Sequence, residues 1–93
     1  MSDTALIKIL ADLFHEAGRA HRQAFSETGG KDPEWPIWYA DFLLHRLNKR
    51  LKAELTKSEL VYLLLKADRE RAFRAPGADW PNYYAKFFYE RYL

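Results

Sequence analysis

The chain has 93 residues and no cysteine, which allows one modest hydrophobic core and excludes disulfides, thiol catalysis and cysteine-based metal sites. Hydrophobic residues make up 48% and charged residues 30%, with a formal net charge of +2, so the composition excludes a disordered chain. The unusual value is an aromatic content of 16%.

Two segments rich in proline and glycine, residues 29–33 and 76–79, divide the chain into stretches of helical periodicity. The first helix is predicted over about residues 4–26, where leucines and alanines recur at spacings of three and four. The second is predicted over about residues 35–53, with Pro36 in its first turn, where the missing N–H costs no hydrogen bond.

A third helix is predicted to begin after Thr56, because Thr56 and Glu59 have the spacing of a capping box, and to end near Arg74. The fourth begins at Trp80 and runs to the end of the chain. No stretch alternates with a period of two, so no strand is predicted. We therefore predict an all-α single domain, residues 1–93, folded as a four-helix bundle with short connections.

The second and fourth helices begin with related sequences. A shift of 45 residues aligns residues 35–42 with residues 80–87, with identical Trp, Pro, Tyr, Ala and Phe, and it also aligns Arg46 with Arg91. A duplicated helix start predicts two related helical hairpins arranged about an internal pseudo-two-fold axis. The predicted repeat halves are about residues 4–53 and 56–93.

The start of the second helix also resembles a known sequence motif. The residues that carry this resemblance are Asp32, Pro33, Trp35, Pro36, Trp38, Tyr39 and Ala40. The run is similar to an Asp-Pro-x-Trp-Pro-x-Trp-Tyr-Ala motif of small bacterial helical proteins of unknown function, in which it begins a helix. The resemblance implies a helix start here. It implies no activity and no catalytic residue, because that family has none assigned.

Both repeated helices are predicted to be apolar on two sides. At about 100° per residue, Ala40 and the leucines that follow it form one side of the second helix, and Trp35, Trp38 and Phe42 form the other. The fourth helix repeats this pattern, and a helix with two apolar sides must be covered twice. The candidate partner- or ligand-binding residues are Trp35, Trp38, Tyr39, Phe42, Arg46, Trp80, Tyr83, Tyr84, Phe87 and Arg91.

Three coverings of the second face are open: the rest of the chain, a second copy in a homodimer, or a small molecule in an aromatic cleft between the second and fourth helices. Arg46 and Arg91 follow the rings along the same stripes, where stacking on a ring is their expected role and an anion-binding pair is the alternative. We predict a protein–protein interaction or self-association module. A small-molecule-binding or enzymatic domain is the alternative.

No catalytic constellation is present in the sequence, so we expect neither catalytic residues nor a cofactor. Asp12 with His15, and Asp41 with His45, have the spacings of metal-ligating pairs on a helix. Both pairs lie off the predicted core faces. We therefore expect surface ion pairing rather than a metal site.

Asp32 or Glu34, and Asp79, precede the second and fourth helices and are expected to cap them. Basic residues favour the last turns of the predicted helices, where they complement the helix dipoles, so nucleic-acid binding is not favoured. There is no signal-peptide pattern and no apolar stretch of about 18 residues, so we expect no membrane partner. The predicted location is the cytoplasm.

Overall fold

Residues 3–92, which the computed structural model describes, form four α-helices and no strand. The helices are α1 (Asp3–Ala24), α2 (Trp35–Leu51), α3 (Lys57–Arg74) and α4 (Trp80–Tyr92), and a 3₁₀ turn, Ser26–Thr28, follows α1. The all-α prediction is therefore confirmed. Residues 1, 2 and 93 of the predicted domain lie outside the described residues.

Two helices end earlier than the sequence predicts, each for a backbone reason. α1 stops at Ala24 because the chain enters the 3₁₀ turn and then reaches Gly29 and Gly30, whose φ angles are 69° and 83°. α2 stops at Leu51 because Lys52 adopts the left-handed region, with φ of 54°. Both differences are of about two residues, as helix ends allow.

The connection between α2 and α3 is closed by Asn48. Its carbonyl accepts the N–H of Lys52, while its side chain donates to the carbonyl of Leu55 at 3.0 Å and accepts the N–H of Leu55 at 2.9 Å. Leu55 itself is buried in the core. One polar side chain thus satisfies the backbone of the turn and fixes the start of α3.

The four described helices close into a ring around one core. α1 packs against α2 and α4, and α3 packs against the same two helices, with a radius of gyration of 12.9 Å. Within residues 3–92 no helix has both the length and the apolar character that crossing a membrane requires. The largest fully buried side chains are Leu10, Phe14, Leu43, Leu47, Leu60, Leu64 and Phe88.

The predicted core side of α2 is confirmed, whereas α4 is buried on both sides. Ala40 and Leu43 are fully buried, as the helical periodicity of α2 predicts. On α4, Tyr84 and Phe87, which the sequence places on or beside the outer face, are buried together with Phe88. The chain itself therefore covers much of the second apolar side of α4.

The capping box predicted at the start of α3 is confirmed. The Thr56 hydroxyl accepts the N–H of Glu59 at 3.1 Å, and the Glu59 carboxylate accepts the N–H of Thr56 at 2.8 Å. The backbone donor, followed by the Thr56 hydroxyl contact, holds the pKa of Glu59 below its ordinary value. This box sets where α3 begins.

We expect Thr56→Ala to lower the free energy of unfolding by about 1 kcal/mol, because a helix N–H loses its acceptor. Urea denaturation measures the change, with Ser58→Ala as the control, since Ser58 is an exposed residue of the same first turn. Equal stability of the two variants would contradict a stabilising role for the cap.

Candidate functional site

A cleft of about 360 Å³ opens among all four described helices. Each helix lines it with the part nearest the two loops rich in proline and glycine, so the cleft lies at one end of the bundle. Aromatic side chains dominate its walls. These rings are Phe14, Trp35, Tyr39, Trp80 and Tyr84.

The two duplicated helix starts form facing aromatic walls. On α2, Trp35 meets Tyr39 edge to face, with ring centroids 5.8 Å apart, and on α4, Trp80 meets Tyr84 in the same way at 5.2 Å. Tyr39 and Trp80 join the two walls at 5.9 Å. Four of the ten candidate residues are thus brought together between α2 and α4, with Phe14 of α1 5.5 Å from Tyr84.

Gly18 of α1 lets the ring of Trp80 lie against the helix backbone. A Cβ atom added at Gly18 meets Cζ2 of Trp80 at 3.0 Å, which is closer than ordinary van der Waals contact. Glycine at this position therefore sets how far the indole reaches into the cleft.

A buried histidine–aspartate pair holds the loop that follows α1. His21 is 5% exposed, and its Nε2 lies 3.1 Å from Oδ2 of Asp32. Because a carboxylate only accepts, Nε2 carries the proton of this hydrogen bond. The imidazole also stacks on Phe25 at 4.7 Å and on Tyr39 at 4.9 Å. The pair therefore ties the loop to the wall formed by α2.

The expectation that Asp32 or Glu34 caps α2 is wrong, because neither side chain accepts an N–H from within the helix in the described part of the chain. Glu34 is the N-cap residue, but within the described chain its side chain makes no capping hydrogen bond. Asp32 instead accepts the N–H of Glu34 at 3.1 Å and binds His21 with its other oxygen. Before α4, the carboxylate of Asp79 accepts from the side chain of Asn82 at 2.6 Å.

A second cluster of hydrogen-bonded polar side chains lies where α3 and α4 line the cleft. Oδ1 of Asp68 accepts the hydroxyl of Tyr84 at 2.9 Å and a guanidinium N–H of Arg71 at 3.2 Å. Arg71 also reaches the carbonyl of Pro76 at 3.5 Å, while its Nε is buried without a hydrogen-bond partner in the described part of the chain. The acceptor Asp68 is therefore engaged twice, and the donor Arg71 is incompletely satisfied.

Burial raises the pKa of the tyrosines that face this region. Desolvation raises the pKa of Tyr84 far above its ordinary value of 10.0, and the charge and hydrogen bond of Asp68 add to the effect. Desolvation also raises the pKa of Tyr39, against an opposing effect of Arg22. At neutral pH both phenols are therefore hydrogen-bond donors without charge.

We expect the bundle to lose stability as the pH rises above about 10, because the folded state keeps Tyr84 protonated while the unfolded chain ionises there. Tyr84→Phe should make the free energy of unfolding fall less steeply with pH in this range. At pH 8 the same variant should have a free energy of unfolding lower by about 1 kcal/mol, because the hydrogen bond to Asp68 is missing. Denaturant titrations between pH 8 and 11 measure both effects. Tyr62→Phe, at an exposed tyrosine, is the control. An unchanged alkaline slope in Tyr84→Phe would contradict the assignment.

The other candidate residues lie outside the cleft. Trp38 and Phe42 are half-buried and stack at 5.5 Å, and Phe87 is buried against Phe88. The hydroxyl of Tyr83 donates to Glu70 at 2.9 Å, and this bond adds to the desolvation that raises its pKa.

The ring-stacking role expected for the two arginines is confirmed. The guanidinium of Arg46 lies 4.0 Å from the ring centroid of Phe42, and that of Arg91 lies 4.5 Å from the ring centroid of Phe87. Arg46 also donates to the carbonyl of Phe42 at 2.6 Å. Each arginine thus covers a ring one turn earlier on its own helix.

Two of the four residues considered as metal ligands, Asp12 and Asp41, lie in surface ion pairs. Asp12 lies 3.5 Å from Lys8, and Asp41 lies 2.7 Å from Lys57. His15 lies 3.8 Å from Asp79. Within residues 3–92, no three histidine or carboxylate side chains group as a metal site would require.

The residues predicted from the sequence to bind a partner or ligand do not include Phe14, His21, Asp68 and Arg71, which also line the cleft. Phe14 lies four residues after Leu10, and His21 lies four residues after Ala17, so the apolar stripe of α1 contained a signal for both. Asp68 and Arg71 have the i, i+3 spacing of an ion pair on a helix, but their contacts with Tyr84 and Pro76 come from α4 and the loop before it, and periodicity carries no signal for these.

Comparisons of the chain with protein-family models, with curated proteins and with solved structures give no match. The motif resemblance therefore stays a prediction.

Proposed function

We propose that this protein binds a small ring-containing molecule in the cleft at the loop end of the bundle. The observation that carries the proposal is the convergence of five aromatic rings from three helices on one cleft of about 360 Å³. Small-molecule sites are concave, mostly apolar and equipped with a few polar groups, and their volumes start at about 300 Å³. This cleft has such a volume, and its lining combines the five rings with polar side chains.

The polar groups support binding rather than catalysis. His21 is held by Asp32, and Tyr84 is held by Asp68, so these side chains are already oriented by partners. Oriented donors and acceptors in an aromatic cleft fix the pose of a ligand at low entropic cost. No side chain of the cleft has the partners of an activated nucleophile, so we do not propose a reaction.

In this proposal, the related starts of α2 and α4 form the two aromatic walls of the cleft. The two Trp–Tyr pairs have similar edge-to-face geometries, with interplanar angles of 74° and 65°. The two Arg–Phe stacks also correspond, at 4.0 and 4.5 Å. These similarities support two related hairpins that each supply one wall. The cytoplasmic location predicted from the sequence belongs to the same proposal.

Titration with naphthalene-2-carboxamide, a neutral two-ring probe, tests the proposed function. We expect amide shifts at Gly18 and Gly30 and shifts of the indole N–H signals of Trp35 and Trp80, because all four residues line the cleft. An affinity around the millimolar range is expected from about 0.3 kcal/mol per heavy atom. Absence of binding, or shifts confined to the exposed Phe73 region, would overturn the proposal.

A matched pair of glycine substitutions sharpens this test. Gly18→Ala adds a methyl group 3.0 Å from the indole of Trp80, which must move, so we expect weaker probe binding. Gly77→Ala is the control, because a Cβ there meets nothing within 4 Å. Equal affinities of the two variants would place the probe elsewhere.

Self-association with a second copy of this chain is a second proposal. Its support is a row on α2 where Trp38 and Phe42 stack while half-buried, next to Ile37, which is 44% exposed. Aromatic residues of this kind are common anchors of interfaces. Sedimentation velocity from about 5 to 200 µM should then show a dimer that Trp38→Ala weakens and Tyr62→Ala does not. A strict monomer would overturn this proposal.

A further inference from the structure

We propose that the ligand of the cleft is a planar organic anion whose carboxylate binds Arg71. This inference rests on the proposed binding function and adds the chemical class of the ligand. The aromatic walls account for the planar body, since rings favour edge-to-face and offset contacts with other rings. The polar residues that line the cleft indicate the charge of the ligand.

The two carboxylates that line the cleft are already engaged. Asp32 accepts from the imidazole of His21 at 3.1 Å and from the backbone N–H of Glu34 at 3.1 Å. Asp68 accepts from Tyr84 at 2.9 Å and from Arg71 at 3.2 Å. A cationic ligand would have to compete with these donors at both oxygens of Asp32 and at Oδ1 of Asp68, which takes both of the bonds to Asp68.

Arg71, in contrast, has donors to spare. A guanidinium carries five N–H groups in a fixed fork. Those of Arg71 make one bond to Asp68 at 3.2 Å and one to the carbonyl of Pro76 at 3.5 Å, the limit of a hydrogen bond, while Nε has no partner in the described part of the chain. Arg22, also on the cleft wall, adds a second positive charge. Arg71 therefore lacks an acceptor for a buried donor, beside a second positive charge.

A carboxylate is the acceptor that fits this shortage. It matches the planar fork of arginine with two parallel hydrogen bonds, which an amide oxygen cannot do. Binding requires Arg71 to release its long contact with Pro76 and to turn the Nε edge toward the cleft. The buried donor then gains the acceptor that it lacks, and Asp68 keeps its bond to Tyr84.

Three naphthalene probes of similar size test the charge of the ligand: naphthalene-2-carboxylate, naphthalene-2-carboxamide and 2-naphthylmethylamine. Calorimetry should give an affinity for the carboxylate about tenfold to a hundredfold higher than for the amide, and the amine should bind most weakly. The Nε–H signal of Arg71 should shift with the carboxylate and stay unchanged with the amide. A preference for the amine, or equal binding of all three, would overturn the inference.

Substitutions of Arg71 separate its role from general attraction by positive charge. Arg71→Gln removes the charge and should abolish the preference for the carboxylate over the amide, whereas Arg71→Lys keeps the charge but loses the fork and should keep only part of that preference. Arg69→Gln, at an exposed arginine of the same helix that does not line the cleft, should keep it. A preference that survives Arg71→Gln, with circular dichroism showing an intact fold, would overturn the inference.

The outcomes also separate the inference from the proposed function. If the amide shifts cleft residues and the carboxylate binds no better, the cleft binds ligands but does not select anions. If none of the three probes binds, both proposals fail together.

Discussion

Phe14→Ala is expected to lower the free energy of unfolding by about 3–5 kcal/mol, the usual cost of removing a fully buried aromatic ring. Phe14 has 0% exposure and contacts three rings of α4: Trp80 at 6.3 Å, Tyr84 at 5.5 Å and Phe88 at 5.7 Å. The lost ring leaves a cavity where α1 packs on α4. Domains of this size have total stabilities of about 5–15 kcal/mol, so the variant approaches the limit of folding.

Phe73 supplies a matched control for this prediction. It is 88% exposed, so Phe73→Ala removes the same atoms without making a cavity, and we expect a change within about 0.5 kcal/mol. Thermal and urea unfolding measure both variants. A stability of Phe14→Ala within 1 kcal/mol of the parent chain would contradict the packing of α1 on α4 described above.

Phe14→Ala also links stability to the site, because Phe14 lines the cleft. The aromatic edges of Trp80 and Tyr84 lose the ring that they both contact. We therefore expect weaker binding of naphthalene-2-carboxamide in any fraction that stays folded. The ring thus serves the core and the candidate site at once.

Local chemistry in the sequence predicted most of the fold. Pro36 tolerates only the first turn of a helix, and the Thr56–Glu59 pair satisfies the free N–H groups of a helix start, so both marked real boundaries. The period of 3.6 residues placed Ala40 on the core side of α2 correctly. These signals act within a few residues, which is why one sequence sufficed to find them.

Tertiary contacts account for what the sequence did not predict. A helical wheel assigns Phe87 to a face but does not say how many neighbours that helix has, and the surrounding chain buries Phe87 and Tyr84. The bonds of His21 to Asp32 and of Tyr84 to Asp68 join residues 11 and 16 positions apart. Such pairs depend on how loops and helices meet, so periodicity carries no signal for them.

His21→Ala should lower the free energy of unfolding by about 3 kcal/mol, since it removes a buried ring and leaves Asp32 without its donor. The imidazole lies between the rings of Phe25 and Tyr39, so the space is closed on both faces. The side chain of Asp32 is only 10% exposed and cannot regain full hydration. His45→Ala, at an exposed histidine, is the control and should change little.

A double-mutant cycle isolates the hydrogen bond from the packing. With His21→Ala, Asp32→Ala and the double variant, we expect a coupling energy of about 1–2 kcal/mol between the two residues, within the range found for contacting groups. Additive effects would contradict the pairing, whatever the size of each single effect.

Hydrogen exchange then tests what the pair holds in place. The N–H of Gly30 bonds to the carbonyl of Phe25 at 2.8 Å, inside the loop that Asp32 anchors to His21. Loss of the anchor should speed exchange at Gly30, while the amides of α3, away from this loop, respond only to the global change in stability. Because Gly30 and Asp32 both line the cleft, we expect a loosened loop to weaken binding of the naphthalene probes as well, through ordering entropy. The buried pair therefore preorganises the cleft as well as stabilising the fold.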